Sequence, residues 1–290
     1  MITFDELEKA EVSDLSVKTR VEAFYKGTDA VSKFAEKVMI PVLKGQLDLN
    51  VKERAIVDTY CRMYAWVRSM VAMNSCIHFQ GAAAATRSLF ELLLDIKMLV
   101  NDETGELIKK FHAFPDIDKF NRAKKIVSFC DEHRNDTQIN DSIQRTFVNY
   151  VGRKQKNEKT ILRYWGKNKK GDPKRPKHWT GENVRERACS LGLKYEELYV
   201  EIYSLLSWYI HSGSTGYVGL KEKDIENYFG YCHGLAQRMF IEATVICAKE
   251  MKLDVAVEWF YKAIENLRLT PGKVLVEEQI KFLDEKAKAS

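Results

Sequence analysis

Apolar residues recur at spacings of three and four along most of this chain, which is the spacing that places side chains on one face of an α-helix. No stretch shows the strict alternation of apolar and polar residues that is typical of β-strands. The pattern therefore predicts an all-α fold, a multi-helix bundle with a basic irregular loop insertion. Its helices are expected over residues 14–44 (two segments broken near Gly27), 52–72, 81–100, 106–114, 118–129, 142–151, 182–191, 199–213, 221–251 and 254–267.

Turn-forming residues set the predicted ends of several helices. Pro41 and Gly45 mark the end of the first helical region, and Pro115 ends the helix that begins at residue 106. Thr180 is a candidate N-cap for the helix over 182–191. We expect one helical domain over residues 1–290, with a core of about 50–265, a basic loop or hairpin insertion over 153–179 and a C-terminal tail over 271–290.

The segment 81–100 is the most buried helix that the sequence predicts, because apolar residues cover every side of it. Arg87 and Glu91 stand four residues apart in this segment, so their side chains share one face. We expect both to be buried and to bond to each other, since burying an unpartnered charge is costly. Two interpretations stay open: an ion pair that ties helices together, or an arginine poised for a phosphate or another anion.

A second polar line lies in the stretch YVEIYSLLSWYIHSG over residues 199–213. Ser204, Ser207 and His211 follow one another at spacings of three and four, along one side of a helix whose other sides are apolar. A histidine in a nearly apolar helix needs a polar partner. We therefore expect this line to face Arg87 and Glu91 from a neighbouring helix.

The composition is typical of a folded, soluble helical protein, and the positive charge is concentrated in one place. Hydrophobic residues make up 45% of the 290, charged residues 30%, and the net charge is +5. Tyr164, Trp165 and Trp179 flank a lysine-rich segment, which is either an RNA-binding loop that neutralises phosphates and stacks bases or a solubilising loop. This segment carries one acidic residue, Asp172, against six cations: Lys167, Lys169, Lys170, Lys174, Arg175 and Lys177.

Several classes of site lack their sequence signature. The six cysteines include no C-x-x-C pair and are interpreted as reduced core residues. Cys232 and His233 are adjacent but have no second cluster at metal-ligand spacing, so no metal ion is expected. P-loop, dinucleotide-binding, H-E-x-x-H and G-x-S-x-G motifs are missing, and no cofactor is expected. The polar first residues and the lack of a long uncharged apolar run predict a cytosolic protein that does not enter a membrane.

Four ordered motifs occur in the middle of the chain: R-S-L-F-E at 87–91, W-T-G-E-N-V-R-E-R-A at 179–188, L-G-L at 191–193 and Y-S-L-L-S-W-Y-I-H-S at 203–212. In that order they resemble an uncharacterised bacterial helical family that is classed only as a domain of unknown function. The resemblance covers residues of about 50–250. It implies that one shared constellation contains Arg87, Glu91, Trp179, Tyr203, Ser207 and His211.

The helix that contains His211 is also loosely similar to the HEPN helical nucleases of bacterial defence and toxin systems. Their signature places an arginine shortly before a histidine on one helix. At the corresponding positions this sequence has Ser204, Leu205 and Leu206, so the arginine of the signature is missing. Arg87 would have to supply its charge from another helix.

The first functional hypothesis is a metal-independent ribonuclease-like enzyme of a defence or toxin system. His211 would act as general acid or base, Arg87 would stabilise the charged phosphate, and Glu91 would orient one of them. Ser207 or Tyr203 would bind substrate. The remaining RNA contacts would come from Trp179, Lys169, Lys170 and Arg175.

The second hypothesis is a non-catalytic helical scaffold, or a sensor of a small anionic ligand. Here Arg87, Glu91 and His211 form a buried network that fixes the register of the helices. The tail or the basic loop would contact a protein partner or a second copy of the chain.

Overall fold

The computed structural model describes residues 17–46, 48–133, 148–149, 151–204, 206 and 221–253. Most of them are helical, which confirms the all-α prediction. The α-helices are α1 (Val17–Phe34), α2 (Ile40–Gly45), α3 (Val51–Ala72), α4 (Phe79–Val100), α5 (Glu106–Glu132), α6 (Lys154–Tyr164), α7 (Val184–Ser190), α8 (Leu193–Tyr199) and α9 (Glu222–Glu250). A 3₁₀ turn spans Cys76–His78, and π-helical turns span Ala35–Met39 and Val200–Ser204. Within these ranges there is no β-strand, and one isolated antiparallel bridge joins Lys167 to Pro173.

The start of α3 shows how the sequence fixes a helix end. The side-chain oxygen of Asn50 accepts a hydrogen bond from the backbone N–H of Glu53 at 3.0 Å. In return, the Glu53 carboxylate accepts one from the backbone N–H of Asn50 at 2.8 Å. This reciprocal pair satisfies backbone donors that the first turn of a helix leaves unpaired.

The predicted break near Gly27 is wrong, because α1 runs through that residue without interruption. A Cβ atom at Gly27 would lie 2.5 Å from Oε1 of Gln237 on α9. Gly27 therefore lies inside a helix, beside the end of the Gln237 side chain, and not at a turn. Pro41 does not end the helical region either, since it lies in the first turn of α2, where a proline costs no hydrogen bond.

Pro115 was expected to end a helix, and this prediction is also wrong. α5 continues through Pro115 to Glu132. The proline removes a backbone hydrogen bond, but the residues after it bury Ile117, Phe120 and Ala123. Packing of that apolar face keeps the chain helical, because tertiary contacts supply most of the stability of a protein helix.

The predicted cap of α7 lies three residues too early. The side-chain oxygen of Asn183 accepts a hydrogen bond from the backbone N–H of Glu186 at 3.0 Å, and the backbone N–H of Asn183 donates to the Glu186 carboxylate at 2.7 Å. Thr180 instead accepts from the backbone N–H of Glu182 at 3.1 Å, in the turn before the helix. Two capping signals stand close together here, and Asn183 is the one that the helix uses.

The chain divides into two compact units, residues 1–101 with 188–290 and residues 102–187, which we call unit 1 and unit 2. In unit 1, α9 packs against α1 and α4, and α4 packs against α3. The rings of Tyr60 on α3 and Phe240 on α9 are stacked with their centroids 5.2 Å apart. The Tyr60 hydroxyl is 3.1 Å from the hydroxyl of Thr244, so this buried phenol has a polar partner.

α4 is the central helix of unit 1, as its sequence predicts, but it is not buried on every side. Arg87 and Glu91 are both half-buried, which corrects the expectation that they are sealed in the core. Their neighbours on the other faces, including Leu89, Phe90 and Leu93, have no exposed surface. The helix therefore keeps one polar side that solvent or a ligand can reach.

Unit 2 contains α5, α6 and the segment that follows α6. The segment 153–179 was predicted to lack regular structure, and this is wrong for its first part, because Lys154–Tyr164 forms α6. The prolines and glycines on which that prediction rested all lie after Tyr164. α6 buries Asn157 and Ile161, four residues apart on one face.

Several predictions lie outside the described residues. They are the helix over 254–267, the tail over 271–290, nearly all of the helix over 142–151 and the second half of the stretch 199–213. Among the helices that the structure describes, none is long and apolar enough to cross a membrane.

Candidate functional site

The candidate site in unit 1 begins with the segment that carries Tyr203. α8 ends at Tyr199 and continues as the π-helical turn Val200–Ser204. Ile202 and Leu206 of this segment are fully buried, so their packing fixes the segment and with it the half-buried Tyr203. The rings of Tyr199 and Tyr203 are stacked, with their centroids 5.1 Å apart.

Arg87 lies on the ring of Tyr203. The central carbon of its guanidinium group is 4.3 Å from the ring centroid, which is the geometry of a cation–π contact. Phe90, one turn further along α4, packs against the same ring with a centroid distance of 6.2 Å. The two aromatic contacts hold Tyr203 against α4 and give the arginine a fixed position.

Glu91 is the hydrogen-bond acceptor for the hydroxyl group of the same tyrosine. The Tyr203 hydroxyl donates a short hydrogen bond to Oε1 of Glu91. Burial and this bond to the carboxylate raise the pKa of Tyr203 well above its ordinary value, with Arg87 acting in the opposite direction. The phenol therefore stays protonated at neutral pH and remains a donor to Glu91. Tyr203 thus contacts the arginine with its ring and the glutamate with its hydroxyl.

The Nε atom of Arg87 is the polar atom at this site without a partner. It is buried, and it makes no hydrogen bond to any residue that the structure describes. A buried donor without an acceptor costs about 1–3 kcal/mol. An anionic oxygen placed at this atom would remove that cost and add a charge-assisted hydrogen bond.

Two of the predicted site residues, Ser207 and His211, lie outside the described residues. Four others belong to unit 2: Trp179, Lys169, Lys170 and Arg175. Only 3% of the surface of Trp179 is exposed, and its ring packs edge-on against Phe111 at a centroid distance of 5.4 Å. Trp179 therefore supports the structure of unit 2 and offers no open face for stacking a base.

A second charged cluster of unit 1 was not predicted from the sequence. Glu242 on α9 is within 3.1 Å of Lys97 Nζ and 2.9 Å of Lys194 Nζ, and it accepts a short hydrogen bond from Tyr195. Burial raises the pKa of Glu242, but the bonds from Tyr195 and Lys194 and the charge of Lys97 outweigh it and bring the pKa below its ordinary value. Through these bonds to Glu242 the cluster connects α4, α8 and α9.

A third tyrosine makes the same kind of contact. The Tyr231 hydroxyl donates a short hydrogen bond to Oε1 of Glu201. The three tyrosine–glutamate pairs join residues that are 30, 47 and 112 positions apart. No local sequence signal reveals such pairs, because neither partner has a characteristic spacing from the other.

Cys232 and His233, on α9, are both buried in unit 1. The backbone oxygen of Cys232 accepts a bond from the Thr86 hydroxyl at 3.2 Å, and Nδ1 of His233 is 3.1 Å from the Thr28 hydroxyl. Among the described residues no three histidine, cysteine or acidic side chains are grouped so that they could hold a metal ion.

Residues 53–227 match the model of a family of unknown function, DUF5677. The match spans more than half of the chain and includes Arg87, Glu91 and Tyr203, so the chain belongs to this family. The chain matches no curated protein and no solved structure.

Proposed function

We propose that this DUF5677 protein binds a phosphate-bearing ligand at Arg87, with Tyr203 and Glu91 holding the arginine in place. One observation carries the proposal. The guanidinium group of Arg87 is fixed on an aromatic ring while its buried Nε–H has no acceptor among the described residues. An arginine that is positioned and still has a free donor is prepared for an anion.

The geometry of a guanidinium group explains why stacking leaves the arginine competent. The group is planar, and its five N–H donors point outward in that plane. The central carbon of the group is 4.3 Å from the Tyr203 ring centroid, and the Nε–H donor has no acceptor among the described residues, so the contact with the ring leaves at least this donor unused. Phosphate and carboxylate oxygens bind the edge of a guanidinium group in a bidentate manner.

The contact between Tyr203 and Glu91 also favours this function. The Tyr203 hydroxyl donates to Oε1 of Glu91, which engages an oxygen that would otherwise be available to the guanidinium group. The pKa of Tyr203 is raised by burial and by Glu91, so the hydroxyl keeps its proton and the contact persists at neutral pH. We infer that Glu91 positions Tyr203 and that Tyr203 positions Arg87.

Calorimetric titration with inorganic phosphate, pyrophosphate and a nucleoside monophosphate tests the proposal. Arg87→Gln is expected to weaken binding by about tenfold or more, because a charge-assisted hydrogen bond contributes about 1.5–3 kcal/mol. Arg87→Lys should give an intermediate loss, since lysine keeps the charge but not the planar fork. Arg68→Gln is the matched control, because Arg68 is an exposed arginine of the same unit that pairs with Glu36.

Equal affinities of the parent, Arg87→Gln and Arg68→Gln would contradict the proposal. So would a parent protein that binds none of the three anions although its thermal melt is cooperative. Melting curves of each variant separate a lost site from a lost fold.

A second candidate function is the metal-independent ribonuclease-like activity, and the position of Tyr203 favours it. Ser207 and His211 follow Tyr203 at steps of four residues, so a helix continuing past residue 204 would place all three on one side. His211 would then supply acid–base chemistry beside a phosphate held by Arg87. A role in a defence or toxin system is part of this candidate.

This candidate predicts RNA cleavage in the presence of a chelator, lost in His211→Ala while the melting temperature stays nearly unchanged. Cleavage that persists at the parent rate in His211→Ala rules it out. Phosphate binding at Arg87 without any cleavage leaves the non-catalytic anion sensor as the function.

A further inference from the structure

The excess of positive over negative charge in this chain lies in unit 2. Residues 102–187 contain 21 lysines and arginines against 13 aspartates and glutamates, a net charge of +8. The rest of the chain contains 25 basic and 28 acidic residues, a net charge of −3. Unit 2 is therefore a basic body joined to a slightly acidic one.

The lysine-rich segment of unit 2 is an ordered loop with its own hydrogen bonds. The backbone N–H of Asn168 donates to the carbonyl of Asp172 at 2.7 Å, and that of Lys174 donates to the carbonyl of Gly166 at 2.8 Å. The side-chain oxygen of Asn168 accepts from the backbone N–H groups of Lys170 and Asp172 at 2.9 and 3.0 Å. These bonds fix the path of the backbone that carries the cations.

Aromatic side chains hold both ends of this loop. Nε1 of Trp165 donates to the backbone oxygen of Trp179 at 2.9 Å. Phe114 of α5 packs against Trp165 and against His178, with centroid distances of 6.4 and 6.3 Å. Gly181 has a positive φ of 85°, and a Cβ atom there would lie 2.9 Å from the Trp165 ring. The loop is thus closed on the body of unit 2.

Nine cations are displayed on this framework. Three of them lie on α6 at i, i+3 and i+7, opposite the buried Asn157 and Ile161. The other six lie in the loop, and all nine are exposed. None of the nine forms an ion pair with a residue that the structure describes. We call the set the basic surface: Lys156, Lys159, Arg163, Lys167, Lys169, Lys170, Lys174, Arg175 and Lys177.

Cations that share one surface and form no ion pairs repel one another. A polyanion removes this repulsion, and its condensed counterions are released on binding. One small anion could not neutralise a set spread over a helix and a loop, whereas a phosphate backbone carries charges at regular intervals.

The composition of the surface favours a nucleic acid over a membrane or an acidic protein. Leu162 is the one large apolar residue of α6 that is exposed, at 39%. A helix that lies on a membrane needs a broad apolar face, and a protein interface needs buried aromatic or aliphatic anchors. The basic surface has neither an apolar face nor such anchors on α6, and it consists of charged, long and flexible side chains.

We infer that the basic surface binds the phosphate backbone of a nucleic acid without reading its sequence. The aromatic residues nearby take no part in base recognition. Trp165 and Trp179 close the loop, and Arg163 covers the ring of Tyr164 at 5.2 Å. Contact is therefore made by lysine and arginine with phosphates, and affinity follows the salt concentration.

Fluorescence anisotropy with labelled oligouridine and oligothymidine, measured over a series of salt concentrations, tests this inference. The parent should bind, and the logarithm of its association constant should fall linearly with the logarithm of the salt concentration. The triple variant Lys169→Gln, Lys170→Gln, Lys174→Gln should lower that slope by about 2, because each lost phosphate contact removes about 0.7 for a single strand. The matched control Lys33→Gln, Lys37→Gln, Lys44→Gln changes three exposed lysines of unit 1 and should keep the parent slope.

Binding of RNA, of DNA or of both with this loss of slope supports the inference. It is overturned if the parent binds neither strand, if the two triple variants have equal slopes, or if anionic phospholipid vesicles bind and the strands do not. Arg68→Gln, which changes an exposed arginine of unit 1 outside both sites, should keep the strand affinity of the parent. The triple loop variant should still bind inorganic phosphate, so failure here and failure of the Arg87 site are distinguished.

Discussion

At the scale of single residues, the contact that matters most is one arginine on one tyrosine. An arginine can give its face to an aromatic ring and keep its edge for an anion, which a lysine cannot do. Arg87 contacts the Tyr203 ring while its Nε–H has no acceptor among the described residues, and the Tyr203 hydroxyl is engaged by Glu91. The proposed anion site is therefore positioned before any ligand arrives, which would lower the entropic cost of binding.

His233 is a second residue whose surroundings have a measurable consequence. It has no exposed surface, its Nδ1 contacts Thr28, and its Nε2 is buried without a partner among the described residues. Burial lowers its pKa from 6.5 to about 4. The neutral ring is thus the form that the folded protein accommodates.

The folded protein should lose stability as the pH falls from about 6.5 to about 4, by on the order of 3 kcal/mol from this residue. In that window the unfolded chain binds a proton on His233 that the folded chain does not, and above about pH 6.5 the contribution is fully present. His233→Asn should remove this part of the pH dependence, measured by urea unfolding at several pH values. His78→Asn, which changes an exposed histidine, is the control. Parallel pH profiles for the parent and His233→Asn would contradict the prediction.

At the scale of helices, the contact between α1 and α9 depends on glycines. A Cβ atom at Gly230 would lie 2.9 Å from Cγ2 and 3.3 Å from Cα of Val21. One turn later, a Cβ atom at Gly234 would lie 3.0 Å from the ring of Phe24. At Gly230 part of the obstruction is backbone, so the two helices would have to separate.

Gly230→Ala should therefore destabilise the protein by about 1–3 kcal/mol through overpacking. In an exposed helix the same substitution would stabilise by up to about 1 kcal/mol, because alanine is the better helix former. Gly45→Ala is the control, since nothing lies within 4 Å of its added Cβ. Chemical unfolding measures both variants, and a Gly230→Ala protein as stable as the parent would show that α1 and α9 are not closely packed.

The positions of helices and of their apparent breaks show what the sequence could and could not predict. Apolar spacing located α3, α4 and α9, because each buries a face that recurs every three to four residues. The sequence analysis interprets Gly27 and Pro115 as breaks in helices, and both interpretations are wrong. The contacts that keep the chain helical are not visible locally: Gly27 lies against a residue far along the chain, and the helix that contains Pro115 is held by the face that packs. The partner of Glu91 was missed for the same reason: Tyr203 is 112 positions away. Arg87 was identified because a cation in the middle of an apolar helix is visible in one segment alone.

At the scale of the whole molecule, charge and candidate sites are divided between the two units. Unit 2 carries a net charge of +8 and the basic surface, and the rest of the chain carries −3 and the Arg87 site. Both proposals involve phosphate groups. Unit 1 would bind a small phosphate-bearing ligand, and unit 2 would bind a phosphate backbone. Each unit can be tested by variants that leave the other unchanged.

The central claim is that the free donor of Arg87 binds an anion, and the ¹H–¹⁵N spectrum of the arginine Nε–H groups observes that donor directly. The Arg87 signal is assigned by its absence from the spectrum of Arg87→Lys. On titration with inorganic phosphate, it should shift downfield and saturate, because its proton gains a charged acceptor. The Arg68 signal should stay in place. An Arg87 signal that does not move, or that moves only in parallel with Arg68, would contradict the account.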